Sequence, residues 1–489
     1  MYKKHYLALT GALVAAYLLM AGCANDSTTQ AGPFAVVAMT DGTTGAEPYL
    51  VRDGAITLIK DINPGTGDSS PIGFTAFNGK IYFFATDNTS YGLWATDGTS
   101  AGTTQVKAFH TTTITKTTDM VVTTASKSSN FSGFAVFNGK LYFAADDGTN
   151  GTELWATDGT TAGTAMVADI NPTAGSSSYP TGFTVFNGKL YFRAGDGTNG
   201  TELWATDGTT AGTAMVADIN PAAGKGSYPS GFAAFNGKLY FQADDGTNGT
   251  ELWVTDGTTA GTAMVADINP TAGSDSYPSG FTVFNGKLYF RADDGTNGTE
   301  LWATDGTTVG TVMVADIKPT AGSSSYPSGF TVFNGKLYFS ADDGTNGAEL
   351  WATDGTAAGT AMVADINPAA GSSSYPSGFT VYNGKLYFSA EDSTNGAELW
   401  VTDGTTAGTV MVADIFSGSS GSHAASLQYF ASMTGSACLH GDFKTFLLGA
   451  YDAAHGLEIW STDGTASGTK LLTDLNPGTG DGIASPNIK

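Results

Sequence analysis

Recurring acidic loops and a set of tyrosines are the residues of this chain whose types and spacing could do chemistry. The loop Asp146-Asp147-Gly148-Thr149-Asn150-Gly151-Thr152-Glu153 returns as Asp244-Asp245-Gly246-Thr247-Asn248-Gly249-Thr250-Glu251. Clustered carboxylate and amide oxygens on a Gly-rich backbone are the hard donors that Ca²⁺ gathers, about six to eight at a time. Asp146, Asp147, Asn150 and Glu153, with Asp244, Asp245, Asn248 and Glu251, are therefore the candidate calcium ligands. Their spacing is not that of an EF-hand, and Asp, Asn and Gly are also what a turn with positive φ requires, so a plain turn is the competing reading. Ser-Tyr-Pro recurs at Tyr179, Tyr228, Tyr277, Tyr326 and Tyr375. Rings repeated beside Asp and Asn side chains could stack on sugars and make a multivalent, individually weak lectin, which makes these five the candidate ligand-binding residues. Packing of the same rings between repeats is the alternative. One irregular cluster, His423, Cys438, His440, Asp442 and His455, could supply metal ligands for a hydrolase or lyase, yet it has no recognised spacing. Histidines are absent from the regular copies, so a non-catalytic protein with no required cofactor is expected.

These residues ride on an array. All eight tryptophans sit in one phrase, and from Trp155 to Trp400 that phrase recurs every 49 residues. A fixed period of this size marks one supersecondary unit stacked many times. Within the unit from Gly182 to Ile219, apolar runs flank Asn187-Gly188, the strongest short hairpin signal because both turn residues must take positive φ. Two more strands follow through Gly-rich and Asp-Gly loops. The runs Phe183-Thr-Val-Phe186 and Leu190-Tyr-Phe192 are apolar on both faces of the pleat, so the sheet must be covered on both sides. The expected fold is all-β: a single β-propeller of four-stranded antiparallel blades over residues 34–489.

Eight complete repeats can be laid out, with first strands near Phe74, Phe134, Phe183, Phe232, Phe281, Phe330, Phe379 and Leu427. Residues Phe34 to Ile62 read as the last three strands of another unit. The tail after Leu475 matches the start of a linker and could donate the missing strand, closing a ninth blade from both chain ends; eight blades with a loose N-terminal hairpin is the alternative. Loops alternate between the two faces of such a disc. One face should carry the lysines of the Asn-Gly-Lys turns, such as Lys140 and Lys189, near hairpin aspartates such as Asp158 and Asp207. The other should carry the Asp-Asp-Gly loops and the tyrosines. The position that varies most among the copies, Phe84, Ala144, Arg193, Gln242, Arg291, Ser340 and Ser389, is expected to be exposed.

The phrase Glu-Leu-Trp-x-Thr-Asp-Gly-Thr, followed by Gly-Thr and Asp-Ile-Asn-Pro, resembles the bacterial ELWxxDGT-repeat proteins. The resemblance implies a secreted or surface-attached propeller and brings no catalytic residues with it. Lys3 and Lys4, the apolar run from Leu7 to Leu19 and the small residues before Cys23 look like a bacterial lipoprotein signal. That likeness implies that residues 1–22 are removed, that Cys23 is the lipidated N-terminus and that residues 23–33 form a tether. It also implies a lipid anchor in the cell envelope, with the outer membrane or cell surface favoured by Ala24. Without Lys3 and Lys4 the formal charge moves from −24 to −26, with 19 basic against 45 acidic residues. This balance argues against nucleic acid or anionic lipid as a partner and is compatible with metal cations or neutral glycans, and a surface protein is a further candidate partner.

Overall fold

The computed structural model describes residues 34–111, 133–426, 437–440 and 446–483. The signal, Cys23 and the tether, Asp442 and the strand expected at Leu427 lie outside these residues. The described strands form nine four-stranded antiparallel sheets. Blade 4 shows the pattern: Thr181–Phe186, Lys189–Gly195, Thr201–Thr206 and Ala214–Ala217 pair in chain order. Its first hairpin turns on Asn187 and Gly188, both at positive φ (45° and 71°), as the primed turn demands. In the first strand, Gly182 sits at a register shift, and a Cβ there would come within 3.1 Å of the Phe232 ring in the next blade.

Side chains of the second strand divide strictly between two neighbours. Leu190, Phe192 and Ala194 pack against Tyr142, Leu154 and Ala156 of blade 3. Tyr191, on the opposite face of the pleat, joins Leu203 and Ala205 against Leu239, Phe241 and Ala243 of blade 5. Period-two alternation therefore builds two interfaces from one strand, which is why the runs read as apolar throughout. Nine such clusters join nine blades, and the ninth, in which Ala35, Val37 and Tyr49 meet Leu447, Leu457 and Ile459, brings the last blade onto the first. The array is thus a closed ring.

Closure follows a different route from the one expected. The first strand of blade 1 is Ala437–His440, which pairs with Phe34–Met39 from Phe34↔His440 to Val37↔Ala437. It comes from the segment between the first and second strands of blade 9, not from the tail. The tail adds one bridge, Met39↔Ile483, and buries Ile483 in the blade 9–blade 1 core. Its Gly- and Pro-rich composition suits a linker, whereas Ala437-Cys-Leu-His440 has neither residue to weaken a strand.

Side-chain hydroxyls clasp successive blades on the hairpin face. Thr210 Oγ1 donates to the Val167 carbonyl at 2.6 Å, and Thr259, Thr308 and Thr406 repeat the bond to Val216, Val265 and Val363. Blade 7 has Ala357 at this position, opposite Val314 of blade 6. The substitution Ala357→Thr should add the missing bond and raise stability by about 0.5–1.5 kcal/mol, while Thr210→Val should cost about as much. Urea unfolding midpoints compared with the unaltered chain check both.

Candidate binding face

In every blade but the second, which has Gly92 at this position, the segment after the blade is held by a glutamate that is wholly buried. Glu153, in the third strand of blade 3, accepts from Ile170 N at 2.8 Å, Ser178 N at 2.8 Å and Ser178 Oγ at 2.6 Å. The same set binds Glu47, Glu202, Glu251, Glu300, Glu349 and Glu398 to a serine of the following linker. The linker serine then accepts, through its carbonyl, from the second strand of the next blade, as Ser178 O does from Gly195 N at 2.9 Å. The glutamate of the repeated phrase is accordingly a structural group that fixes the linker and, with it, the residue that follows.

That residue is the tyrosine. Tyr179 N, like Ser178 N, donates to Thr152 O, and the chain then reverses. To do so, Tyr179, Tyr228, Tyr277, Tyr326 and Tyr375 all adopt φ between 46° and 49°. A bulky residue in the left-handed region costs about 1–3 kcal/mol, and the proline that follows disfavours it further. Ser70 and His423 occupy the same conformation in their linkers, so the backbone geometry belongs to the fold and the ring does not. All five rings lie in the open, from 53% exposed at Tyr179 to 64% at Tyr375. They occupy five consecutive linkers, from blade 3 to blade 8, and form an arc on one face.

The acidic loops lie on this same face, bonded to the linkers: Gly175 N donates to Thr149 O at 3.2 Å, and Thr152 N to Ser177 Oγ at 2.8 Å. Asp146 and Asn150 do not share one centre with Glu153. Asp146 Oδ1 accepts from Gly148 N. Asp147 folds back onto Thr149 N, Asn150 N and Asn150 Nδ2. Glu153 is turned inward to Ser178. Asp244, Asp245, Asn248 and Glu251 repeat the division, with Glu251 on Ser276. The loops are Asx turns, and the backbone N–H donors keep the Asp147 and Asp245 carboxyls below their ordinary range despite partial burial. Among the described residues, no group of three or more His, Cys, Asp or Glu converges as a metal-binding set.

The irregular cluster is dispersed. His423 stands where the tyrosines stand, on the linker before blade 9. Cys438 and His440 belong to the strand inserted into blade 1. His455 takes the asparagine position of an Asx loop and holds Asp452 through Nδ1 at 2.7 Å. On the opposite face, Asp158 accepts from Thr160 N and Thr160 Oγ1, both at 2.8 Å, and Lys140 lies near enough to favour its charge. The variable position is more enclosed than expected: Phe84 and Ser340 are buried and Arg193, Gln242 and Arg291 half-buried, because the following linker covers it. Sequence reasoning passed over the buried glutamates as linker anchors. Their fixed distance from the linker serine, 25 residues in most copies, was the available signal.

No family model matches the chain, and no curated protein matches it. Several solved structures do. The computationally designed protein Ika8 is 14% identical with a TM-score of 0.40, covering 78% of this chain and 94% of its own. A structure of two prolyl endopeptidases is 12% identical with a TM-score of 0.40, covering 70% of this chain and 50% of that one. Oligopeptidase B from Leishmania major is 12% identical with a TM-score of 0.38, covering 72% and 49%. The chain thus spans about half the length of these peptidases, and likenesses of this size carry no inference about chemistry.

Burial drives the linker glutamates upward, to about 7 for Glu47, Glu251 and Glu458, against 4.5 for a free side chain. The nearby Asp61, Asp267 and Asp474 add to the effect, and the hydrogen bonds oppose it. The geometry accommodates the proton, because a serine that accepts it can donate to a carbonyl, as Ser69 Oγ does to Ala46 O at 3.0 Å. A carboxyl raised on folding contributes stability that is full below about pH 4.5 and lost as pH rises through about 7. The urea midpoint should therefore be higher near pH 5 than near pH 8. Glu458, whose linker has Gly482 in place of serine, leaves Oε2 buried without a hydrogen-bond partner. Glu458→Gln should accordingly reduce the loss at pH 8, and equal midpoints for both proteins at both pH values would refute this.

Proposed function

We propose that this propeller is a non-catalytic, multivalent binding module whose ligand is a glycan held along the tyrosine arc. One observation carries the reading: five tyrosines are held exposed in a left-handed conformation that Gly or Asn would adopt at lower cost. Neither backbone preference nor packing accounts for the rings, whereas an exposed row of amphipathic rings beside Asx loops suits sugars, which offer an apolar face and a rim of hydroxyls. Each site alone is shallow. Linking several on one rigid ring raises avidity by orders of magnitude without new contacts, provided the ligand reaches successive sites.

The reading places the chain outside the cytoplasm, tied to the envelope by a lipid on Cys23, in keeping with the signal-like N-terminus and the resemblance of the repeat to ELWxxDGT proteins. A surface protein bearing several glycans would engage the same arc. Calcium enters as an optional ligand of the Asx loops and is not required. An architectural role without ligand would leave the strained, exposed rings unexplained.

A glycan array probed with the full chain, and with Tyr228→Ser, Tyr277→Ser and Tyr326→Ser combined, tests the proposal. Binding should rise steeply with oligosaccharide length and fall at least tenfold in the triple variant, and EDTA should leave both results unchanged. Retention of full binding by the triple variant would reject the arc as the site.

A further inference from the structure

The chain has only three arginines, Arg52, Arg193 and Arg291. Arg52 lies over the Phe34 ring, 4.9 Å from its centroid. The other two occupy the same register in blades 4 and 6. Arg193 Nε donates to Thr181 Oγ1 at 2.7 Å and Arg291 Nε to Ser279 Oγ at 2.9 Å. Both are half-buried, and desolvation disfavours their charge. Each accepting hydroxyl lies two residues after a tyrosine of the arc, Tyr179 or Tyr277. Among the described residues neither arginine has a carboxylate within ion-pair distance, although acidic residues outnumber basic ones 45 to 21.

A half-buried guanidinium without a counter-ion is unfavourable, and structural need does not explain this pair. Blades 3, 7 and 8 close with Ala144, Ser340 and Ser389 at the same register, so the fold does not require a long cationic side chain there. Blade 5, between the two arginines, carries Gln242, whose Nε2 bonds Ser230 Oγ at 2.7 Å and whose Oε1 is buried without a partner. Three consecutive blades therefore present guanidinium, amide, guanidinium, each bonded to the residue two positions after a tyrosine of the arc, Tyr179, Tyr228 or Tyr277.

We propose that Arg193 and Arg291 each bind one anionic substituent of a polysaccharide lying along the arc, with Gln242 facing an uncharged unit between them. This rests on the reading of the arc as a glycan site and specifies its ligand: a chain with sparse negative charge, one group per two blades. The shared chemistry is an oxyanion that a guanidinium grips through two parallel N–H bonds, either a uronate carboxylate or a sulfate ester. The strongly acidic surface repels densely charged polymers such as nucleic acids, so the tyrosine contacts must supply part of the affinity.

The test titrates the full chain with sparsely charged polymers, a largely methyl-esterified polygalacturonate and a lightly sulfated dextran, and with the fully esterified polygalacturonate and neutral dextran. At low ionic strength the sparsely charged polygalacturonate or the lightly sulfated dextran should bind at least tenfold more tightly than dextran, and the tighter of the two identifies the anion as carboxylate or sulfate. If carboxylate is the anion, full esterification should abolish the preference. Arg193→Gln with Arg291→Gln should also abolish it while leaving the unfolding midpoint unchanged, and Arg193→Lys with Arg291→Lys should restore it in part. Equal binding of the double Gln variant and the unaltered chain, or no preference for either polyanion over dextran, overturns the proposal. Tyrosine-dependent binding of neutral glycans alone would preserve the arc as a glycan site and remove the anion. Arginine-dependent binding that survives loss of the tyrosines would do the reverse.

Discussion

A carboxyl group buried between strand and linker, with no cation beside it, is the interaction on which this molecule depends. A propeller blade ends at its outer edge, and the chain must return to the axis to begin the next. That return crosses exposed loop with little apolar surface to hold it. Glu153 and its counterparts solve the problem by accepting from the linker at both ends, at Ile170 and at Ser178. Placing a carboxyl there costs desolvation, and the hydrogen bonds offset only part of it, which is why burial raises these groups. In exchange, the linkers from blade 3 to blade 8 share one conformation.

From that constraint follows the difference between the two faces. On the hairpin side, tight Asn-Gly and Asp-Gly-Thr turns satisfy themselves: Asp158 accepts from Thr160, while Thr157 and Thr164 pair through their hydroxyls at 2.7 Å. A Cβ at Gly163 would lie about 2.1 Å from the Asp158 carboxyl, so the turn tolerates no side chain there. The linker side is different, because in the linkers that carry the five tyrosines and His423 the fixed return path forces that residue into the left-handed region and leaves its side chain in solvent. Function is therefore argued on the side where geometry, not packing, decides what is displayed.

Much of the fold was legible in the sequence. The Trp period fixed the repeat, Asn187-Gly188 marked the first hairpin, and the doubly apolar runs from Phe183 and Leu190 required neighbours on both faces. Closure was half legible. Phe34 to Ile62 read correctly as three strands wanting a fourth, but the donor was sought at the tail by similarity, and the strand used, Ala437–His440, resembles no repeat. Strand pairing across the ring joint is a contact between residues about 400 positions apart, and no local pattern encodes it.

The candidate site divides along the same line. Residue types alone determined that this is a stacked, acidic, all-β array with tyrosines and Asx-forming loops in register, because turn chemistry and period-two burial are local properties of the chain. Whether those groups converge was decided only by tertiary structure. Glu153 left the acidic loop because its carboxyl satisfies a linker 25 residues away. The tyrosines stayed in solvent because that linker fixes their backbone before their rings can pack. Arg193 came to bond Thr181, two residues after Tyr179, because the first two strands of its blade pair there across a register shift.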